Sequence, residues 1–310
     1  MGIVLLIAAG AVSPAGSQQS GMQTQAYPGN YPPPLARRKT GAPPRLVFEV
    51  ISEITLPGPL RDAPIEISEA GARVPLVDSV ALVPLEPGSE PLLSPATPAK
   101  LPSASDPDSA WTLSSDGKLR YQTRVLGLLV AQKRCRRCRE GWKPAWSLRV
   151  PGATRSPPTV QGRRLFFAAS DGRVYCLRSD NGHRIWAVDV GDRVSRPLVL
   201  WSGVIPDPEG PWAGSATRPL DLVLVITDGG GALYALDPYD GGRVGILELP
   251  PERGRLKTGV AAAPDGRIVV GRETYATADG TLMVLRLTPA KDSPPAADAK
   301  PESSERPMVE

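Results

Sequence analysis

Apolar residues between positions 160 and 190 fall in runs of three to five, and each run is cut by a turn dipeptide. Leu165-Phe166-Phe167-Ala168-Ala169 precedes Asp171-Gly172. Val174-Tyr175-Cys176-Leu177 precedes Asn181-Gly182, and Ile185-Trp186-Ala187-Val188 follows. Asp-Gly and Asn-Gly tolerate the positive φ of tight hairpins, so the pattern predicts short antiparallel strands joined as a meander. Val160 closes a further short apolar stretch just before the first of these runs.

The pattern recurs. Trp146 and Trp186 stand forty residues apart, and a proline (Pro157, Pro197) follows each at the same spacing, which Phe48 and Pro59 repeat. A later copy holds Leu224-Val225-Ile226, Tyr234-Ala235-Leu236 and Asp240-Gly241, with Gly245 where the tryptophan would fall. It also carries an insertion over 201–219 rich in Pro, Gly and Trp. The last copy uses Ile268-Val269-Val270, Asp279-Gly280 and Leu282-Met283-Val284-Leu285. Upstream the copies weaken to Ser115-Asp116-Gly117-Lys118-Leu119 with Leu126–Val130, and then to Val74–Leu85. A fixed period of this size signals an array of similar supersecondary units. The expected fold is an all-β propeller of about five blades, with an incomplete or irregular ring left open as an alternative.

Composition agrees with this reading. The chain has 310 residues with 31 Gly and 36 Pro but only 5% aromatics, a balance suited to many turns and some unstructured sequence. Residues 1–17 read as a signal peptide: the apolar run Gly2–Val12 is followed by small residues and is too short to span a bilayer. No cysteine follows that run, so a lipid anchor is not expected. Residues 18–45 read as a Pro- and Gln-rich linker, 46–288 as the propeller, 87–110 as a long loop within it, and 289–310 as a disordered tail. A net charge of +4 is mild and does not by itself call for nucleic acid.

Gly172-Arg173-Val174-Tyr175-Cys176-Leu177, with Asn181-Gly182 and Trp186 behind it, resembles the pyrroloquinoline-quinone-type β-propeller repeat. Cys176 stands where the repeat usually has alanine, whereas Ala235 fits. The resemblance implies that Trp146 and Trp186, with Phe48 at the matching spacing, dock between neighbouring blades. The family contains quinoprotein dehydrogenases as well as non-catalytic envelope scaffolds. Its enzymes carry a calcium site, a catalytic aspartate and usually a disulfide of adjacent cysteines. Cys-Cys is absent here, so the resemblance points to the scaffold members, with no cofactor and no catalysis.

The sharpest local feature is Lys133-Arg134-Cys135-Arg136-Arg137-Cys138-Arg139. Cys135 and Cys138 are open to a local disulfide, a redox pair, free structural thiols, or a zinc site with Cys176 and His183. Cys176 aligns with a small strand residue, which favours a buried thiol. His183 follows a turn glycine. The arginines could bind an anionic partner or simply form a solvated loop. A single histidine and no Gly-x-Ser-x-Gly leave no basis for nucleophilic catalysis. Asp228-Gly229-Gly230-Gly231 occupies a hairpin position and does not read as a phosphate loop.

The resulting expectation is a protein-interaction scaffold in the periplasm or secreted. Its partner is another protein, with no nucleic acid and at most indirect membrane association. The candidate surface comprises Trp201 and Trp212 on the insertion, with Arg136, Arg137 and Trp142 on the basic loop. Two alternatives stand beside it: a degenerate quinoprotein-type propeller holding a quinone or sugar-like ligand in its channel, and an anion-binding module built on residues 133–139.

Overall fold

A computed structural model describes residues 45–85, 90–95, 111–124, 126–206, 217–229, 231–274 and 280–290. The expected signal peptide, nearly all of the linker, Trp212, most of 87–110 and the tail beyond residue 290 lie outside them. Within them the chain is all strand and turn, apart from one 3-10 turn at Pro251–Arg253.

The strands form a β-propeller of consecutive four-stranded meanders, preceded by an N-terminal strand, β1 (Leu46–Thr55). The first unit contains β2 (Glu66–Ser68), β3 (Gly71–Pro75), β4 (Ser79–Val83) and β5 (Leu92–Pro95). The second contains β6 (Thr112–Leu113), β7 (Leu119–Arg124), β8 (Leu128–Arg134) and β9 (Trp142–Arg149). The third contains β10 (Thr159–Gln161), β11 (Arg164–Ala168), β12 (Arg173–Arg178) and β13 (Arg184–Asp189). The fourth contains β14 (Val199–Pro206), β15 (Thr217–Ile226), β16 (Ala232–Leu236) and β17 (Arg243–Glu248). In the fifth, β18 (Arg255–Leu256) and β19 (Ala261–Ala262) both pair with β20 (Ile268–Glu273). β20 pairs with β21 (Gly280–Pro289), and β1 completes that sheet from the far end of the chain.

Two-residue periodicity decides how the units stack. Successive side chains on a strand point to opposite faces, so a strand held between two sheets must be apolar on both. In β11 and β12, Leu165, Phe167, Tyr175 and Leu177 belong to the core shared with the second unit. Their sequence neighbours Phe166, Val174 and Cys176 belong to the core shared with the fourth. The same division holds further on: Leu222 and Leu224 face the fifth unit while Val223 and Val225 face the third. In β20 and β21, Val269 and Val284 pack on the first unit through Ala72, Val74, Ala81 and Val83.

The seam between the first and second units is built differently. Among the described residues no core cluster joins them. The face of the second unit turned away from the third carries Arg120, Gln122, Gln132 and Ser147 around a single buried valine, Val130. Leu92, Leu93 and Leu113, on the strands flanking this seam, are 62%, 56% and 56% exposed.

Tryptophan locks add a directional contact to the stacking. The indole of Trp146 in β9 lies on Gly182 in the third unit's turn, where an added Cβ would sit 2.6 Å from the ring. Its Nε1–H donates to the Ser179 carbonyl oxygen at 3.2 Å. Trp186 in β13 repeats this one unit on, lying on Gly241 and donating to the Pro238 oxygen at 3.1 Å. Each tryptophan is paired beside a bulge in its sheet, Trp146 with Ala131 and Trp186 with Cys176.

This register corrects the assignment of Phe48. The corresponding bulge in the fifth sheet falls between Val50 and Ser52, so Ser52 occupies the tryptophan register. Phe48 is buried instead in the core between the fourth and fifth units. Equal spacing to a proline misled because β1 enters its sheet from the chain start and not through a preceding hairpin. The missing tryptophan of the fourth unit has a reason of its own. Gly245 faces Leu46 of β1 in a parallel bridge, and an added Cβ there would stand 3.1 Å from the Leu46 carbonyl oxygen.

Arg196 ties the same region together from its buried position, its side chain 12% exposed. It pairs with Asp62 at 3.1 Å and donates to the carbonyl oxygens of Thr227 and Lys257, bridging the fourth and fifth units to the entry of the first.

Trp186→Ala is expected to cost about 3–5 kcal/mol in urea unfolding, and Trp186→Phe about 1–3, the latter for an unsatisfied Pro238 carbonyl and a smaller ring. Gly245→Trp, which restores the repeat's usual residue, is expected to destabilise the protein by displacing β1. A Tm at or above the parent's would refute the account of that position.

Candidate interaction surface at the β8–β9 hairpin

β7 and β8 are joined at Gly127, and β8 and β9 are joined at the other end of the sheet by a clamped loop over residues 135–141. Cys135 and Cys138 form a disulfide across its tip. The Cys135 amide donates to the Gly141 oxygen at 2.8 Å and the Gly141 amide to the Cys138 oxygen at 3.0 Å. The Arg134 amide donates to the Lys118 oxygen at 2.9 Å. Gly141 takes φ +71°, a left-handed conformation that a side chain would strain. The tip is therefore a fixed loop rather than a flexible tether.

Lys133, Arg134, Arg136, Arg137 and Arg139 are all exposed on it. A cavity of about 780 Å³ opens beside the hairpin, lined by Asp116, Lys118, Leu119, Lys133, Arg134 and Arg136. Asp116 is the sole carboxylate in that lining and is already engaged. It accepts from the Lys118 amide at 3.0 Å and the Ser114 hydroxyl at 2.7 Å, and pairs with the Lys118 ammonium at 3.2 Å. These contacts, the amide first, pull its pKa down to about 2. Further along the sheet stands Arg120, whose guanidinium lies 4.1 Å from the Trp111 ring and 4.6 Å from the Trp142 ring. It donates twice to Gln132 Oε1, at 2.8 and 2.6 Å.

The remaining candidates are dispersed. Arg136 and Arg137 are exposed on the hairpin, and Trp142 is half-buried against Arg120. Trp201 corrects an expectation: it is 2% exposed, packs in the core between the fourth and fifth units, and donates its Nε1–H to the Gly266 oxygen at 2.8 Å. The insertion is a long hairpin of β14 and β15, and this tryptophan serves as an inter-unit anchor at its base. The four-residue zinc set is also not assembled. Cys135 and Cys138 are bonded to each other, Cys176 is buried in the core between the third and fourth units, and His183 is exposed on a turn. Burial pushes the Cys176 thiol upward from its ordinary range, which leaves it inert. No cluster of three or more metal-ligating side chains occurs among the described residues.

Sequence reasoning missed Arg120, Lys118 and Arg196. Arg120 and Lys118 are separated in the chain from the cysteine run and meet it only through β7–β8 pairing. Other polar groups are committed to the fold. The Tyr175 hydroxyl donates to Asp171, and burial followed by that bond raises its pKa. The Tyr121 hydroxyl donates to the Ser179 oxygen at 3.0 Å. A second cavity, about 520 Å³, lies between the β2–β3 turn and the loop before β20; its Asp265 and Arg267 pair with each other.

With this geometry in view, the match to a known family falls on the later units. Residues 139–290 match the family described as outer membrane protein assembly factor BamB, and the repeats of that segment are pyrroloquinoline-quinone-type propeller repeats. Solved structures with similar chains include three at low identity. BamB from Moraxella catarrhalis shares 16% identity over 75% of this chain and 66% of its own, with a TM-score of 0.37. Glutaminyl cyclase from Myxococcus xanthus shares 16% over 79% and 98%, at 0.34. The β-propeller domain of Cps50 (Swd1) from Myceliophteria thermophila shares 17% over 70% and 66%, at 0.38. Comparison with curated proteins gave no match.

Two measurements check the hairpin. Ellman's reagent should find no reactive thiol in the native protein, one after unfolding without reductant, and three after reduction; two reactive thiols in the unreduced chain would refute the disulfide. Because the folded pKa of Asp116 lies below its ordinary 3.8, its turn is supported above that value and loosens as pH falls through about 2. NMR titration of the Lys118 amide should show that midpoint, and Asp116→Asn should abolish it.

Proposed function

We propose that this chain is a non-catalytic propeller that presents a rigid surface to another protein in the cell envelope. The observation that carries the reading is the clamped cationic hairpin. Strand faces from the third to the fifth unit are consumed by stacking, whereas this loop is fixed, projects outward and keeps its cations free of partner carboxylates among the described residues. A disulfide in a short exposed loop suits an oxidising compartment. The match of residues 139–290 to an outer membrane assembly factor family supports an envelope location and a scaffolding role. The groove beside the hairpin favours a second reading, an anion-binding module acting on a small ligand.

Placing a photoreactive amino acid at Arg137 tests the scaffold. Irradiation in the native envelope should give a discrete crosslinked protein that disappears when Arg136 and Arg139 are both changed to Glu in the same probe-bearing chain. Absence of any crosslink from 137 and from neighbouring tip positions would count against it.

A further inference from the structure

We propose that the groove between the β6–β7 turn and the β8–β9 hairpin is a docking site for an acidic, extended protein segment whose carboxylates flank an apolar side chain. This rests on the scaffold reading and names the partner chemistry of that surface. Four cations line the groove: Lys118 from the start of β7, Lys133 and Arg134 from the end of β8, and Arg136 from within the disulfide loop. The one lining carboxylate, Asp116, is neutralised by Lys118, and no carboxylate among the described residues pairs with Lys133, Arg134 or Arg136. The three form a like-charged cluster, and a complementary anion relieves their repulsion.

The occupant's other features follow from what lies between the charges. Leu119 is half-buried at the floor, paired across the sheet with Lys133, so the groove offers an apolar contact amid cations. That fits a carboxylate–apolar–carboxylate pattern better than a lone inorganic anion. The disulfide and the three backbone hydrogen bonds hold the cations in place before binding, which reduces the ordering cost of association.

Two other anionic macromolecules fit less well. Single-stranded nucleic acid needs exposed aromatic faces for its bases. No aromatic side chain lines the groove, and Trp111 and Trp142, the nearest rings along this sheet, are engaged in holding Arg120 between them. A membrane surface favours cations beside insertable apolar side chains. The most exposed leucine of this unit, Leu126 at 77%, sits in the β7–β8 turn, at the other end of those strands from the hairpin tip.

The test is fluorescence anisotropy of the whole protein with a fluorescein-labelled peptide of alternating Glu and Leu. Matched Gln–Leu and Glu–Ser peptides, inorganic phosphate, single-stranded DNA and phosphatidylglycerol vesicles serve as comparisons. Binding of the Glu–Leu peptide should weaken at least about tenfold in Lys133→Glu/Arg136→Glu. It should change less than about threefold in Arg137→Glu/Arg139→Glu, which alters net charge equally but lies outside the groove. Circular dichroism should be unchanged in both, since all four side chains are exposed. Equal losses in the two variants would reduce the effect to net charge and overturn the proposal. So would equal binding of the Gln–Leu or Glu–Ser peptide, or tighter groove-dependent binding of phosphate, DNA or vesicles. If the crosslinked envelope partner is retained by Lys133→Glu/Arg136→Glu, the groove assignment fails while the scaffold reading stands.

Discussion

Two-sided burial is the constraint on which the rest of this molecule depends. A sheet in the middle of the array has no solvent face, so both sets of alternating side chains must be apolar and shaped to different neighbours. Phe166 and Phe167 are adjacent in sequence yet belong to separate cores, each fully buried. Burying a large aromatic contributes several kcal/mol, so each stacked interface carries a large share of the stability of both its sheets.

The tryptophan locks turn that non-directional attraction into a defined register. A ring pressed on a turn glycine, with its N–H satisfied by a carbonyl of the same turn, can be placed in one way only. Trp146 and Trp186 fix the second unit on the third and the third on the fourth by the same geometry. Trp201 performs a related task between the fourth and fifth by another route, from the first strand of its unit onto the turn glycine Gly266. Where β1 meets the fourth unit, the close approach of its backbone to Gly245 disfavours a large side chain, and strand pairing takes over.

Function is correspondingly pushed to the places that stacking does not use. The first–second seam lacks a shared apolar core among the described residues, and the second unit presents mainly polar side chains on that side, around Val130. The tip of its β8–β9 hairpin lies beyond the stacked strands and is held by a disulfide and backbone hydrogen bonds instead. Rigidity there comes from a disulfide, three backbone hydrogen bonds and one left-handed glycine, so a dense cluster of cations is displayed without collapsing onto the sheet.

The sequence by itself determined the strand-and-turn grammar, because Asp-Gly, Asn-Gly and two-residue periodicity are local properties that hold in any environment. The resemblance to the propeller repeat implied blade-docking roles for Trp146 and Trp186, and the contacts with Gly182 and Gly241 supply their geometry. Tertiary structure alone decided what depends on distant partners. Phe48 lost the tryptophan role because β1 joins a sheet more than two hundred residues downstream, and spacing cannot register that pairing. Trp201 reads as surface in a Pro- and Gly-rich insertion until the fifth unit covers it. The basic run was legible as charge, but the groove was not: Lys118 and Leu119 reach it only when β7 pairs with β8, and hydrogen-bond register is a property of two segments together.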